Sequence, residues 1–392
     1  MPSGSVICIG IYREANESTS SDGLLSVTPE GIFVKDILLP IGLGVTNSLA
    51  WLPDSSGRIF VGQEQGGFLT QLWYQAYTGA EPLHITNDLD VYNSVSLSID
   101  ETLMISTQER RESTIYVGES PAVLNDKVDW KLRPISSDKV SGGALSWTAG
   151  GKLLQSNFLA QSYVSAADRT SQIPSLEGAF TDPQACGPAG LVIVAKHITT
   201  GQNLWGLDLA TRSAKQLTFG TADFVADCTP DGKSLLFVAY KASSTWQISE
   251  LPIEGGSPKE LFRGRVVSFP SVSPDGKFLA FGKIGGEGTN ASSKFVVQNL
   301  VDNSSSEIPA PEGASNLKWT PDGHSLTYLR RDISSDDLYL QPLPSGKPFR
   351  LMHFDDEPSS IAAYAWSRDG KKIAVTRARF NDSDIVLFSG FR

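Results

Sequence analysis

Residues 272–282 read Val-Ser-Pro-Asp-Gly-Lys-Phe-Leu-Ala-Phe-Gly. An apolar approach meets Pro-Asp-Gly and leaves as an apolar run. Proline pre-sets φ for the first central position of a turn, aspartate can hydrogen-bond the local backbone, and glycine tolerates the φ > 0 exit. Two β-rich runs joined so tightly form a hairpin.

The phrase recurs. Strong copies are Thr229-Pro230-Asp231-Gly232, Thr320-Pro321-Asp322-Gly323 and Ser367-Arg368-Asp369-Gly370, and weaker ones are Leu52-Pro53-Asp54, Ser98-Ile99-Asp100, Thr148-Ala149-Gly150-Gly151 and Gly187-Pro188-Ala189-Gly190. Anchors at 54, 100, 150, 189, 231, 275, 322 and 369 lie 39 to 50 residues apart. That is the period of a four-stranded propeller blade. An inner strand leads into each turn (Ala144–Trp147, Asn316–Trp319, Ala362–Trp366) and a second strand follows it (Leu235–Ala239, Phe278–Phe281, Lys372–Thr376). Helical periodicity is nowhere sustained.

The expectation is therefore an all-β chain: one β-propeller domain over 1–392, built of four-stranded antiparallel blades, eight in number, with seven as the fallback. Pro2-Ser3-Gly4 reads as a degraded turn. The last repeat has three strands, ending in Asp384–Phe388, and lacks a fourth. Within the N-terminal strands of 1–46, Ile32–Leu38 is expected to supply that strand and close the ring, since closure pairs exposed sheet edges. Ser5–Tyr12 and Leu24–Thr28 are then surplus, as in a fragment of a longer protein.

Composition narrows the function classes. Forty per cent hydrophobic and 19% charged residues are ordinary for a globular chain, and the net charge of −10 disfavours nonspecific binding to nucleic acid or anionic membranes. No apolar stretch is long enough for a transmembrane helix, and 1–20 lacks the pattern of a secretory signal. The three cysteines show no C-x-x-C spacing and suggest neither a disulfide framework nor a zinc site. Cys186 and Cys228 stand three before the turn anchor, where other copies have Trp51, Trp147, Val272, Trp319 and Trp366; with Cys8 they read as buried core thiols. The four histidines fall at unrelated positions.

The turn phrases resemble TolB-like, WD-repeat-like bacterial propellers. Ser48–Asp54, Leu83–Leu89, Gln108–Arg111, Trp366–Lys371 and Ser383–Leu387 are similar to one subgroup, the C-terminal propellers of membrane-anchored serine/threonine kinases typical of Acidobacteria. The resemblance covers essentially the whole chain. It implies a sensory or scaffolding module on the outer side of a membrane. No G-x-S-x-G elbow, phosphate loop, kinase His-Arg-Asp or Asp-Phe-Gly, or H-E-x-x-H occurs in the sequence, so no phosphotransfer, cofactor or metal is expected.

Two features carry candidate chemistry. Four before the turn anchor the residue is small (Ala50, Ser96, Ser146, Ala185, Ser271, Ala365), except at Asp227 and Lys318. A charge on a packed inner strand is costly unless paired or hydrated by a central channel. The second feature is a basic rim after strand two: Arg110, Arg111, Lys196, Lys241, Lys283, Arg330, Arg331, Arg377 and Arg379. Cations gathered on one face would capture a carboxylate, phosphate or acidic peptide. Acidic residues on neighbouring loops (Asp88, Asp90, Asp223, Asp355) offer the plainer reading of a solvated surface. The expected function is a monomeric, non-enzymatic propeller binding a protein, peptide or small anion at one face. The alternative is a hydrolase, lactonase or lyase whose metal is held by carboxylates at the channel mouth.

Overall fold

In the computed structural model, residues 7–390 are described apart from short stretches, the longest being 28–32, 173–179, 287–291 and 355–359. Of 7–47 only the backbone is described, and the side chains of Arg111, His197 and Arg379 are among those outside the description. The described residues form antiparallel strands and no helix. The degraded turn at Pro2–Gly4 lies outside the described residues.

The chain falls into two compact units, Met1–Arg111 with Phe380–Arg392, and Glu112–Arg379. In the first, Ile7–Asn16, Thr19–Val27 and Phe33–Leu38 make a three-stranded sheet, and Leu43–Trp51, Gly57–Glu64, Thr70–Ala76 and Leu83–His84 a four-stranded one. Its core gathers Leu52, Ile59, Leu72, Tyr92 and Met104, with Val386 and Phe388 packed against them.

In the second unit, five successive repeats each build a four-stranded antiparallel sheet. The inner strands are Ser141–Trp147, Phe180–Cys186, Asp223–Cys228, Val266–Val272 and Ala314–Trp319. The second strands read as unbroken apolar runs because both of their faces are covered. Leu235, Phe237 and Ala239 pack with Cys186, Ile193 and Leu204 of the preceding sheet, while Leu236 and Val238 pack with Val272, Leu279 and Phe281 of the following one. A strand buried on both sides loses the apolar–polar alternation of a half-exposed strand.

The turns work as their sequence indicates. Asp231 Oδ1 accepts from Lys233 N (3.0 Å) and from Thr229 Oγ1 (2.7 Å), while Gly232 N donates to Thr229 O (2.8 Å). The same set recurs at Asp275, Asp322 and Asp369, each with a Ser or Thr two residues earlier. Gly232, Gly276, Gly323 and Gly370 all take φ between +70° and +74°. Hydrogen bonding to the ionised carboxylate holds Asp231, Asp275 and Asp369 below the usual carboxylate range, the hydroxyl of the residue two before being the largest cause.

The last repeat departs from the expected closure. Ile32–Leu38 was the expected partner, but Phe33–Leu38 pairs with Thr19–Val27 instead. The sheet of the last repeat has the order Leu132–Asp138, Leu103–Glu119, Lys372–Ser389, Ser360–Trp366. Its third and fourth strands therefore come from the repeat anchored at 100, whose own first strands are two-residue pieces, Val91–Tyr92 and Ser96–Leu97. Anchors 100 and 369 share one sheet, so eight anchors yield seven sheets with a turn of this kind. Asp384–Phe388 is no separate strand but the continuation of the 18-residue strand Lys372–Ser389. The physical reason is the same edge that the sequence exposes: the last hairpin leaves unpaired backbone groups, and Leu103–Glu119 satisfies them. Inside the second unit the junction is packed by Ile115, Val117, Leu145, Trp147, Ala363 and Ala365, and Trp147 Nε1 donates to Ala365 O at 3.1 Å.

Cys186 and Cys228 are not the separate core thiols expected from their repeat slots. Cys186 and Cys228 are both buried, but they are bonded to each other, with Cα atoms 5.3 Å apart. Equivalent slots on neighbouring inner strands bring the two thiols together, a proximity that their 42-residue separation conceals.

Candidate functional site

Of the six inner strands of the second unit, now including Ser360–Trp366, successive ones lie side by side from Ser141–Trp147 to Ala314–Trp319, and Ser360–Trp366 lies beside Ser141–Trp147. Between Ala314–Trp319 and Ser360–Trp366 the link is by side chains, Asn316 Nδ2 donating to Ala362 O and Tyr364 Oη to Asn316 O. Each slips register just before the slot four residues ahead of its turn: between Thr181 and Gln184, Val225 and Asp227, Ser268 and Ser271, and Ser315 and Lys318, with like shifts at Ser141/Leu145 and Ile361/Ala363. Bulges bend a strand and re-aim its side chains. The result is that Ser146, Ala185, Asp227, Ser271, Lys318 and Ala365, one from each sheet, line a common cavity. Small residues dominate this slot because six strands converge there.

That cavity, of about 320 Å³, opens among the Pro-Asp-Gly turns. A second, of about 290 Å³, opens at the other ends of the inner strands. Both are lined by Leu145, Gln184, Asp227, Ser271 and Lys318, which form a shared waist. The two charged exceptions of the repeat thus stand together at the centre.

Their surroundings differ. Asp227 Oδ1 accepts from Cys228 N at 2.8 Å and Gln184 Nε2 at 3.1 Å; Oδ2 accepts from Val272 N at 2.9 Å and Ser271 Oγ at 3.2 Å. The Lys318 ammonium has no hydrogen bond and no ion pair within 4.0 Å among the described residues, the residue's backbone carbonyl accepting from Thr327 Oγ1 at 3.2 Å. Desolvation pushes the Asp227 carboxyl up, against the opposing pull of Lys318 and of its hydrogen bonds. Desolvation also pulls the Lys318 ammonium down, and Asp227 is the charge that opposes it. The carboxylate is satisfied by donors; the ammonium has only its field.

The turn-side cavity is walled by Pro230, Pro274, Pro321 and three tryptophans. The indole N–H groups are spent on the scaffold: Trp147 on Ala365 O, Trp319 on Ser271 O (3.0 Å) and Trp366 on Thr327 Oγ1 (3.2 Å). Carbon surface therefore remains for a ligand. In the last repeat the turn proline is replaced by Arg368, which is exposed at this mouth and donates from Nη1 to Pro230 O at 3.4 Å. The signal for Arg368 was present in the Ser-Arg-Asp-Gly copy, as the one charged residue in a proline slot. At the opposite mouth stand Asp182, Phe269, Asn316 and Tyr364, the last donating to Asn316 O at 2.7 Å.

Five of the rim cations make local contacts. Lys196 lies 5.2 Å from the Trp205 ring centre and Arg330 5.6 Å from that of Tyr339, each a diagonal cross-strand pair. Arg377 is buried, 4.7 Å from the Phe354 ring centre. Lys283 pairs with Glu307 at 2.5 Å, and Lys241 and Arg331 are exposed. In the first unit Arg110 faces Asp90 at 3.8 Å. The side chains of Arg111 and Arg379 lie outside the described residues. Among the described residues no group of three or more His, Cys, Asp or Glu is placed to hold a metal, and no helix is long and apolar enough to cross a membrane.

No family model matches the chain. A curated relative is dipeptidyl-peptidase 5 of Aspergillus fumigatus, 26% identical over 190 residues, covering 42% of this chain and 26% of that protein. The match thus spans about a quarter of the relative's length. Among solved structures, TolB of Agrobacterium tumefaciens superposes with a TM-score of 0.57 at 17% identity, over 69% of this chain and 98% of that one. TolB of Acinetobacter baumannii covers 97% of this chain at 15% identity, with a TM-score of 0.34. The first likeness, with the successive four-stranded sheets, makes this chain an all-β protein with a TolB-like propeller fold.

Proposed function

We propose that Glu112–Arg379 is a six-bladed, closed propeller that acts as a non-enzymatic binding module, with the central cavity as its site. The observation that carries this reading is the pair of charged residues at the waist, where every other sheet contributes a small side chain. An ammonium kept there without a partner costs stability, and a ligand that pairs with it recovers that cost. The likeness to TolB of Agrobacterium tumefaciens extends over a share of the chain as large as this unit, which supports treating it as the functional body.

The resemblance to propellers of membrane-anchored kinases supports a sensory or scaffolding role within a larger membrane protein. The Cys186–Cys228 bond supports an oxidising, extracytoplasmic setting. The peptidase activity of dipeptidyl-peptidase 5 is not carried over, given the short share of that protein matched.

A thermal-shift screen of the purified chain against peptides, organic acids, nucleotides, metals and cell-wall fragments tests the reading, since a ligand of the folded state raises the melting temperature by mass action. A ligand whose shift disappears in Lys318→Met supports it. Substrate turnover by the purified protein would overturn the non-enzymatic assignment.

A further inference from the structure

The turn-side cavity has a chemical character distinct from that of the opposite mouth. Its charged lining residues are Lys318, Arg368 and Asp227. Asp227 already accepts four hydrogen bonds from Gln184, Cys228, Ser271 and Val272, so it offers little to a cationic guest. The turn aspartates spend their Oδ1 atoms on their own turns and are not among the lining residues. One net positive charge remains, spread between an ammonium at the waist and a guanidinium at the rim. The walls between them are proline and tryptophan.

We propose that this cavity binds a monocarboxylate with an apolar body, its carboxylate held between Lys318 and Arg368 and its apolar part against Trp147, Trp319 and Trp366. The assignment rests on the central-cavity reading above and names the ligand class for it. A single negative charge matches the net charge of the lining, whereas a phosphate dianion would leave charge uncompensated in a desolvated site. Guanidinium and ammonium groups both form charge-assisted hydrogen bonds to carboxylate, and indole faces take apolar and aromatic groups. The volume, about 320 Å³, lies at the small end of ligand sites, so the guest is a small acid or the last residue of a peptide.

Arg368 further suggests how the guest is admitted. It occupies the slot that Pro230, Pro274 and Pro321 fill, and its bond to Pro230 O is long, at 3.4 Å, so the guanidinium is readily redirected to a stronger acceptor.

Isothermal titration of the full chain with N-acetyl-phenylalanine and with its amide tests the assignment. A parallel pair of short peptides, ending in free or amidated phenylalanine, separates a small acid from a peptide terminus as the source of the carboxylate. The acids should bind and the amides bind at least about tenfold more weakly, as loss of a charge-assisted contact predicts. Arg368→Pro, which installs the residue of the other strong copies, and Lys318→Met should each weaken acid binding by a similar factor, with Lys318→Arg restoring part of it. Melting curves verify that the variants are folded. Equal binding of acid and amide, or tighter binding of inorganic phosphate, would overturn the carboxylate assignment while leaving a ligand-binding cavity in place. If nothing in the panel or the wider screen binds, both readings fall.

Discussion

Asp227 and Lys318 line the same cavity from sheets two apart, yet the carboxylate turns to the intervening strand, taking Val272 N and Ser271 Oγ on one oxygen. The pair is therefore a satisfied acceptor beside an unsatisfied cation, not a closed ion pair. Replacing Asp227 by Asn should test this. Whichever way the amide turns, its N–H₂ meets a backbone N–H, that of Cys228 or of Val272, so we expect a loss of about 1–3 kcal/mol of stability in urea unfolding. An unchanged midpoint would mean that these hydrogen bonds are not made in solution.

The Cys186–Cys228 bond joins neighbouring inner strands immediately beside that site. Thiol titration of the denatured, unreduced protein should count one thiol, Cys8, and three after reduction. Cys228→Ser should cost about 2–4 kcal/mol, within the range for loops of this length. A count of three before reduction would refute the bond.

Two turns meet back to back nearby. A Cβ on Gly187 would lie 2.5 Å from Gly232 Cα, and both glycines take positive φ, 65° and 72°. Gly276, at +74°, has its nearest neighbour at 3.5 Å, from a proline ring. Gly276→Ala should therefore cost about 1–2 kcal/mol from conformation alone. Gly187→Ala must add a backbone clash to the same conformational cost, so its unfolding midpoint should fall clearly further. Equal losses would contradict the close approach.

Glu307 bridges Lys283 at 2.5 Å and Lys294 at 2.6 Å. The hydrogen bonds from these two ammonium groups hold its carboxyl down at about 2, against 4.5 for a free glutamate. A depressed carboxyl pKa favours the fold above the unfolded value and loses that contribution as pH falls through the folded one. Glu307→Gln should therefore melt slightly below the wild type at pH 7, and the two curves should converge between pH 4.5 and pH 2. Because the site is exposed, added salt should shrink the difference. A gap that persists at pH 2 would show that charge is not its cause.

The sequence by itself determined the repeating unit, because that unit is held by short-range chemistry. Proline, aspartate and glycine at fixed offsets build the turn, and the continuous apolar second strands declare burial on both faces. The small residue ahead of each turn likewise marked the central slot and exposed Asp227 and Lys318 as exceptions. Only the tertiary structure decided which strands complete the last sheet, that Cys186 meets Cys228, and that Arg368 shares a cavity with Lys318. Those are long-range pairings. A sheet edge accepts any backbone of suitable strand geometry, so on sequence alone Leu103–Glu119 and Phe33–Leu38 were equivalent candidates. The rim cations were legible as a pattern, but their aromatic and acidic partners depended on cross-strand register, which no single strand specifies alone.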